Sequence, residues 1–371
     1  NQWGKEDESG RKYLQVGSEN KYFPKRKMQT ERYDINKVYQ KKYKKIVGLI
    51  DSENLTFARY SVGIYVKEKY KDVELYKDLG IVGTKLVGLI RTLLLKRMES
   101  SIAAFKATIH KMKLGNQIFL KIIEETGKIP IGEFAQKLLY DAVDDYDFND
   151  VYQIKTGESL EENVKNAIAQ IEKTKSYYNI NDFNSDELKQ DLSNDIEIFT
   201  NIYELINELG IEANDDKFDQ LAKLINKNPK EKILIFSEYA DTAKYLHKRL
   251  ETMFPKLGKT LEVVYSQKSS GKDQSRIICR FAPESNQDLI QPLFANKKLE
   301  PIHKLVATDV LSEGTNLQDA GIVINYDIHW NLARIIQRAG RIDRIGQKRV
   351  TIKFWNFLPD PKIDQQLHLQ E

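Results

Sequence analysis

The chain has 371 residues, 41% of them hydrophobic and 30% charged, with a formal net charge of +4. That length supports two or three domains with a substantial core, and the balance is that of a globular protein rather than a disordered or collagenous one. No apolar run approaches the ~20 residues of a membrane span, and no signal peptide is recognisable. One cysteine, Cys279, excludes an internal disulfide framework and suits a reducing cytoplasm; with five histidines it leaves no zinc-type spacing. Cys279 lies in an apolar run and reads as a buried thiol. The mildly basic balance is compatible with a polyanionic partner without requiring one.

Residues 1–19 are polar and carry Gly4, Gly10 and Gly17, so loop or partial order is expected there. The alternation over 27–33 predicts a strand, and Asp34 or Asn36 is placed to cap a helix starting near Lys37. From 53 to about 215 the pattern is mostly helical. Leu86, Leu89, Ile90, Leu93, Leu94, Met98, Ile102, Phe105 and Ile109 predict one long amphipathic helix over 84–113. Further helices are expected over 115–126, 131–139, 160–177 and 196–209, the last with Gly210 as its C-cap. Lys96 and Arg97 read first as a solvent-facing pair. The acidic run 141–150 lacks the spacing of a calcium loop and reads as a solvated linker.

After Pro229 the character changes. Residues 233–236 are a buried strand, followed by Ser237 and a helix bearing Ala240, Ala243, Leu246, Leu250 and Met253. Ser237 suits a helix N-cap. Residues 261–265 are the next strand, 276–281 a helix, and 283–303 an insert with three prolines. Lys304–Ala307 is again a short buried strand. A turn at 312–316 follows, in which Gly314 permits close backbone approach to a ligand. Residues 322–326 form another strand. The next helix carries Leu332, Ile335, Ile336 and Ala339 as a core-facing stripe, with Gln337, Arg341 and Arg344 projecting elsewhere. Residues 350–357 alternate as a closing strand. This order implies a mostly parallel sheet flanked by helices, with ligands and the Gly314 turn beyond the strands' carboxyl ends.

Two arginines one turn apart suit a polyphosphate, because guanidinium is a planar fork of donors that keeps its charge. The string QRAGRIDRIGQ (337–347) closely resembles motif VI of superfamily 2 helicases in its SWI/SNF-type form. ATDVLSEGTN (307–316) resembles motif V, and HWN (329–331) the segment before motif VI. Gln40 and Tyr43 fit the Gln-x-x-Tyr helix near the end of that family's first motor lobe, and 93–101 resembles a segment downstream of it. The closest flavour is the bacterial branch related to the RNA-polymerase-recycling ATPase. The resemblance implies a RecA-like second motor lobe over 216–371, preceded by a helical insert or protrusion over 36–215 and by the end of a first lobe over 1–35. It implies Arg341 and Arg344 as arginine fingers, Gly314, Asn316 and Gln337 near the nucleotide, and Thr308, with Ser237, at the nucleic-acid backbone. Glu313 stands where many relatives have arginine and carries no role.

The resemblance further implies ATP and Mg²⁺ held mainly by a first lobe, for which this chain has no loop. GIVGTK (80–85) has the wrong order for a phosphate-cradling P-loop, and Asp144–Asp145 follows no apolar strand. The chain, which starts at Asn1, is therefore expected to be the later part of a longer bacterial, cytoplasmic DNA translocase or helicase. Double-stranded DNA is the expected partner, with a protein partner open for the helical insert. The alternative is a non-catalytic nucleic-acid- or protein-binding scaffold on the same fold.

Overall fold

A computed structural model describes residues 5–8, 11–77, 79–130, 157–209, 215–265, 271–294, 299–311, 315–329, 331–345 and 347–359. The linker read at 141–150, the helix at 131–139, Gly210, Glu313 and Gly314 lie outside them. The described strands are β1 (Lys5–Glu6), β2 (Lys12–Val16), β3 (Glu19–Tyr22), β4 (Lys25–Tyr33), β5 (Lys128–Pro130), β6 (Tyr177–Asn179), β7 (Ile233–Phe236), β8 (Leu261–Val264), β9 (Lys304–Ala307), β10 (Ile322–Asn325) and β11 (Thr351–Pro359). The chain divides into two compact units, one of residues 1–38, 99–104 and 214–371, the other of 39–98 and 105–213.

The first unit is built on a six-stranded sheet in the order β4-β11-β10-β7-β9-β8. Every pairing in it is parallel. β7, β9 and β10 are buried at every position, as their continuous apolar runs require when both faces are covered. Leu234, Phe236, Leu305, Val323, Ile352 and Phe354 form the core with Ile278 and Phe281 of the Gly271–Phe281 helix. This is the RecA-like α/β lobe that the motifs implied, preceded in the chain by helices.

Two elements differ from expectation. Residues in 1–19, read as loop or partial order, contain strands of an antiparallel meander, β1-β2-β3. The strand expected over 27–33, at the end of a preceding lobe, runs from Lys25 to Tyr33, pairs along its whole length with β11 and forms an edge of this sheet. Arg32 Nη1 donates to the Pro359 carbonyl at 2.8 Å, and Tyr33 is buried. Asp34 caps the next turn, its Oδ1 accepting from Asn36 N–H at 2.9 Å.

The second unit is helical, chiefly Tyr43–Ile50, the bulk of Leu79–Ser100 and Ile102–Thr126, Leu160–Thr174 and Ser185–Asn207. Positive φ at Gln40 (47°) and Lys41 (68°) ends the Ile35–Val38 turn before Tyr43, so the Gln-x-x-Tyr spacing does not lie on one helix. The long helix predicted over 84–113 breaks at 101, not at 114. Ser101 Oγ accepts from Ala104 N–H at 3.1 Å, an N-cap arrangement that starts a new helix. Gly115, expected to open a helix, sits inside Ile102–Thr126 between buried Leu114 and Asn116. Among the described residues no helix is long and apolar enough to cross a membrane.

Candidate site at the arginine helix

The segments that carry the site follow β9 and β10 in the chain. Asn331 caps the Leu332–Ala339 helix, its side chain accepting from Ala333 N–H at 2.9 Å. His329, buried, accepts from Asn331 N–H at 2.9 Å through Nδ1. Half of the stripe expected to face the core does not: Leu332 and Ile336 are each 71% exposed, while Ala339 packs against the core and Ile335 is half-buried. The side chain that turns fully inward is Arg338, at 0% exposure. Its Nε and Nη2 pair with the two carboxylate oxygens of Asp309 at 2.6 Å each, and Nη1 donates to the Asp327 carbonyl at 2.9 Å. A buried guanidinium is tolerable only with such saturation of its donors, and the saturation sets which face of the helix is inner.

Arg341 and Arg344 are half-buried and converge on one acceptor. Arg341 Nη1 lies 3.3 Å and Arg344 Nη2 3.1 Å from the Thr315 carbonyl. Arg341 Nε donates to the Gln337 carbonyl at 3.2 Å and Arg344 Nε to the Gly340 carbonyl at 2.9 Å, which orients both forks. Leu317 N–H donates to the Arg341 carbonyl at 3.1 Å, tying the segment after 314 to the arginine turn. Two like charges converging on one carbonyl repel each other, so the pair is an anion acceptor.

The pair does not sit beyond the carboxyl ends of the strands. A helix of eight residues rises ~12 Å, about the length of a four-residue strand, and carries the chain back along the sheet. Asn316, next to Thr315, accordingly lines a cleft of about 570 Å³ whose other walls include Lys232, His303, Gln347 and Arg349, residues that shortly precede β7, β9 and β11. Burial pushes the His303 imidazole and the Lys232 ammonium below their usual ranges. Asn316 Oδ1 turns back to accept from Gln318 N–H at 3.3 Å. Gln337 is exposed beside Arg341.

Thr308 and Ser237 do follow carboxyl ends, and both are buried. Thr308 is 9% exposed, and its N–H donates to the Val264 carbonyl at 3.1 Å. Ser237 is fully buried and donates from Oγ to Asp327 Oδ2 at 2.5 Å, so its hydroxyl is not presented to a phosphate. Nor does it cap the following helix, whose N-cap is Tyr239.

Asp327 is a hub that sequence reasoning passed over. Its carboxylate pairs with Lys217 Nζ at 2.9 Å and accepts from Ser100 Oγ at 2.9 Å and Glu238 N–H at 3.1 Å. Burial alone pushes this carboxyl up, but Lys217 and the Ser237 hydroxyl outweigh it and hold it below the ordinary value. Lys217 also donates to the Glu99 and Ser100 carbonyls and lies 4.3 Å over the Tyr326 ring. Thus Arg338, Asp309, Asp327 and Lys217 fix the arginine helix without touching its outer face. One signal was available: Ile335, Arg338 and Ile342 follow helical spacing as well as the apolar stripe did.

Residues 216–346 match the family of helicase conserved C-terminal domains. This segment is similar to the C-terminal lobes of superfamily 2 helicases, an SNF2 domain-containing protein among them. It is 32% identical over 145 residues to an uncharacterized ATP-dependent helicase, YqhH, of Bacillus subtilis, covering 39% of this chain and 22% of that protein. It is 34% identical over 138 residues to the SNF2 domain-containing protein CLASSY 3 of Arabidopsis thaliana, covering 37% and 9%. Against the ATP-dependent RNA helicase eIF4A of Meyerozyma guilliermondii the identity is 27% over 146 residues, covering 39% and 32%. The matched helicase lobe thus corresponds to a third or less of each of these relatives. Among solved structures, the C-terminal part of the Fun30 ATPase domain aligns over 93% of this chain and 89% of its own at 15% identity and a TM-score of 0.42.

Proposed function

We propose that the chain is the C-terminal part of an ATP-dependent DNA translocase or helicase, in which Arg341 and Arg344 are the fingers that reach a nucleotide held by another lobe. The observation that carries this reading is the convergence of two oriented, half-buried guanidinium groups on the Thr315 carbonyl. An arginine that acts across a cleft on a phosphate bound elsewhere needs no place in its own sheet's crevice. The donor set fits a triphosphate: two planar forks for a growing charge on the γ-phosphate, with Gln337 beside them. ATP and Mg²⁺ are assigned chiefly to the first lobe, and here the chain's own work is electrostatic. Closure brings the fingers to the phosphate, and opening withdraws them.

Nucleic-acid contacts in this reading are mainly to backbone phosphates, hence salt-sensitive and weakly sequence-specific. Thr308 is the remaining candidate for such a contact after Ser237 is withdrawn. Double-stranded DNA is preferred over RNA because the motifs follow the SWI/SNF form, although the relatives include RNA helicases. The bacterial branch and a cytoplasmic setting belong to the same proposal and are supported by the Bacillus relative.

The test is nucleic-acid-stimulated ATP hydrolysis by the full-length protein with duplex DNA, single strands and RNA. Arg341→Ala and Arg344→Ala are each expected to lower turnover by roughly 1,000-fold, the low end of what a finger contributes, with melting temperature unchanged. Near-normal turnover in both variants would defeat the assignment. Strong stimulation by RNA and none by duplex DNA would retain the fingers and replace the substrate.

A further inference from the structure

Between the two fingers the sequence places an acid, Arg341-Ile342-Asp343-Arg344. Its carboxylate does not turn to either of them in the structure. Asp343 Oδ2 lies 2.6 Å from Nε of Arg26, in the second position of β4. Asp343 is nearly buried there, its side chain 12% exposed, while Arg26 remains 46% exposed. The turn that carries Arg344 has two further anchors. Ile342 is fully buried in the sheet's core, and Gln347 Nε2 donates to the Gln318 and Ile342 carbonyls at 2.7 and 2.9 Å.

We infer that Arg26 is a positioning residue for the arginine fingers: by holding Asp343 it fixes the 340–345 turn so that Arg341 and Arg344 stay trained on the same point. The inference rests on the proposed function of those arginines, yet its geometric part stands apart from it. Three observations carry it. β4 is built into the sheet by a nine-residue parallel register with β11, so Arg26 is offered from a rigid strand. The regular helix ends at Ala339, and beyond it the backbone is held by single-turn bonds, Ile342 and Asp343 N–H both reaching the Ala339 carbonyl and Gln347 N–H the Arg344 carbonyl, so the orientation of Arg344 rests on these and on side-chain anchors. An ion pair with one partner nearly half exposed adds little to stability, so its consequence is local geometry. Arg26 also lies outside the 216–346 segment matched to the helicase family, so a motif-based reading passes it over.

The experiment uses the full-length protein and two readouts. In the first, Arg26→Ala and Asp343→Asn each lower kcat about tenfold with KM for ATP changed less than twofold and melting temperature unchanged. The double variant is no worse than either single one, because both remove the same contact. Arg26→Lys recovers part of the loss, since it keeps a charge and loses the fork. In the second, amide hydrogen exchange over 340–345 accelerates in both single variants, while the β4–β11 ladder keeps its protection. Unchanged kcat in both variants, multiplying losses in the double variant, or a kcat loss matched by lowered melting temperature overturns the positioning role. Unchanged exchange over 340–345 overturns it even if the wild-type protein hydrolyses no ATP, an outcome that would itself sink the motor reading instead.

Discussion

Arg338 and Arg341 are one helical turn apart, and the fold uses them in opposite ways. Arg338 pairs its guanidinium with Asp309 and lies in the core; Arg341 stays half-buried beside Thr315. The same economy governs Asp327, whose ion pair with Lys217 is almost wholly removed from water. Removing one partner of a buried pair leaves an uncompensated charge, which costs about 3–5 kcal/mol. Lys217→Met is therefore expected to destabilise the sheet unit by about that amount in denaturant titration, with Lys217→Met/Asp327→Asn less harmful than the sum of the single changes. A loss below about 1 kcal/mol in Lys217→Met would show that Asp327 is satisfied without it. Because the folded carboxyl is held below its unfolded value, its contribution is present above the ordinary carboxylate range and lost as pH falls through the folded value.

Among elements, the Ser185–Asn207 helix holds a carboxylate of the opposite kind. Asp195 is fully buried and accepts from Thr56 N–H at 2.8 Å and Ala58 N–H at 2.7 Å, tying down a loop in which Phe57 takes φ of +51°. Burial pushes this carboxyl up from 3.8 to about 6, against those hydrogen bonds. The folded state then binds more protons than the unfolded chain between those values, so stability falls as pH rises through that window and is flat above it. The helical unit is expected to be more stable at pH 4.5 than at pH 7, by an amount of order 2 kcal/mol before other groups intervene, and Asp195→Asn is expected to flatten the difference. A melting temperature insensitive to pH across that range in the native protein would contradict the assignment. The helix break at Ser101 belongs to the same scale. Ser100 and Ser101 each place Oγ 2.7 Å from Thr242 Oγ1, and that tertiary cluster selects a boundary that periodicity had set a dozen residues later.

For the whole molecule, the decisive element is β4, distant in sequence from every strand beside it. Without it β11 becomes a nine-residue edge with an open row of backbone donors and acceptors, a template for aggregation. Deletion of residues 1–33 is expected to lower the cooperative melting of the sheet unit and raise aggregation measured by light scattering; a soluble variant with native melting would show the strand to be dispensable. The sequence by itself determined the buried runs of β7, β9 and β10, the parallel lobe and the two arginines one turn apart, because these are local properties of polarity and spacing. Only the tertiary structure decided that Leu332 and Ile336 face outward, that Ser237 is sealed by Asp327, and that the arginines lie on the amino side of the sheet beside Arg26. Each of those outcomes depends on which buried charge finds a partner far along the chain, and periodicity carries no record of that pairing.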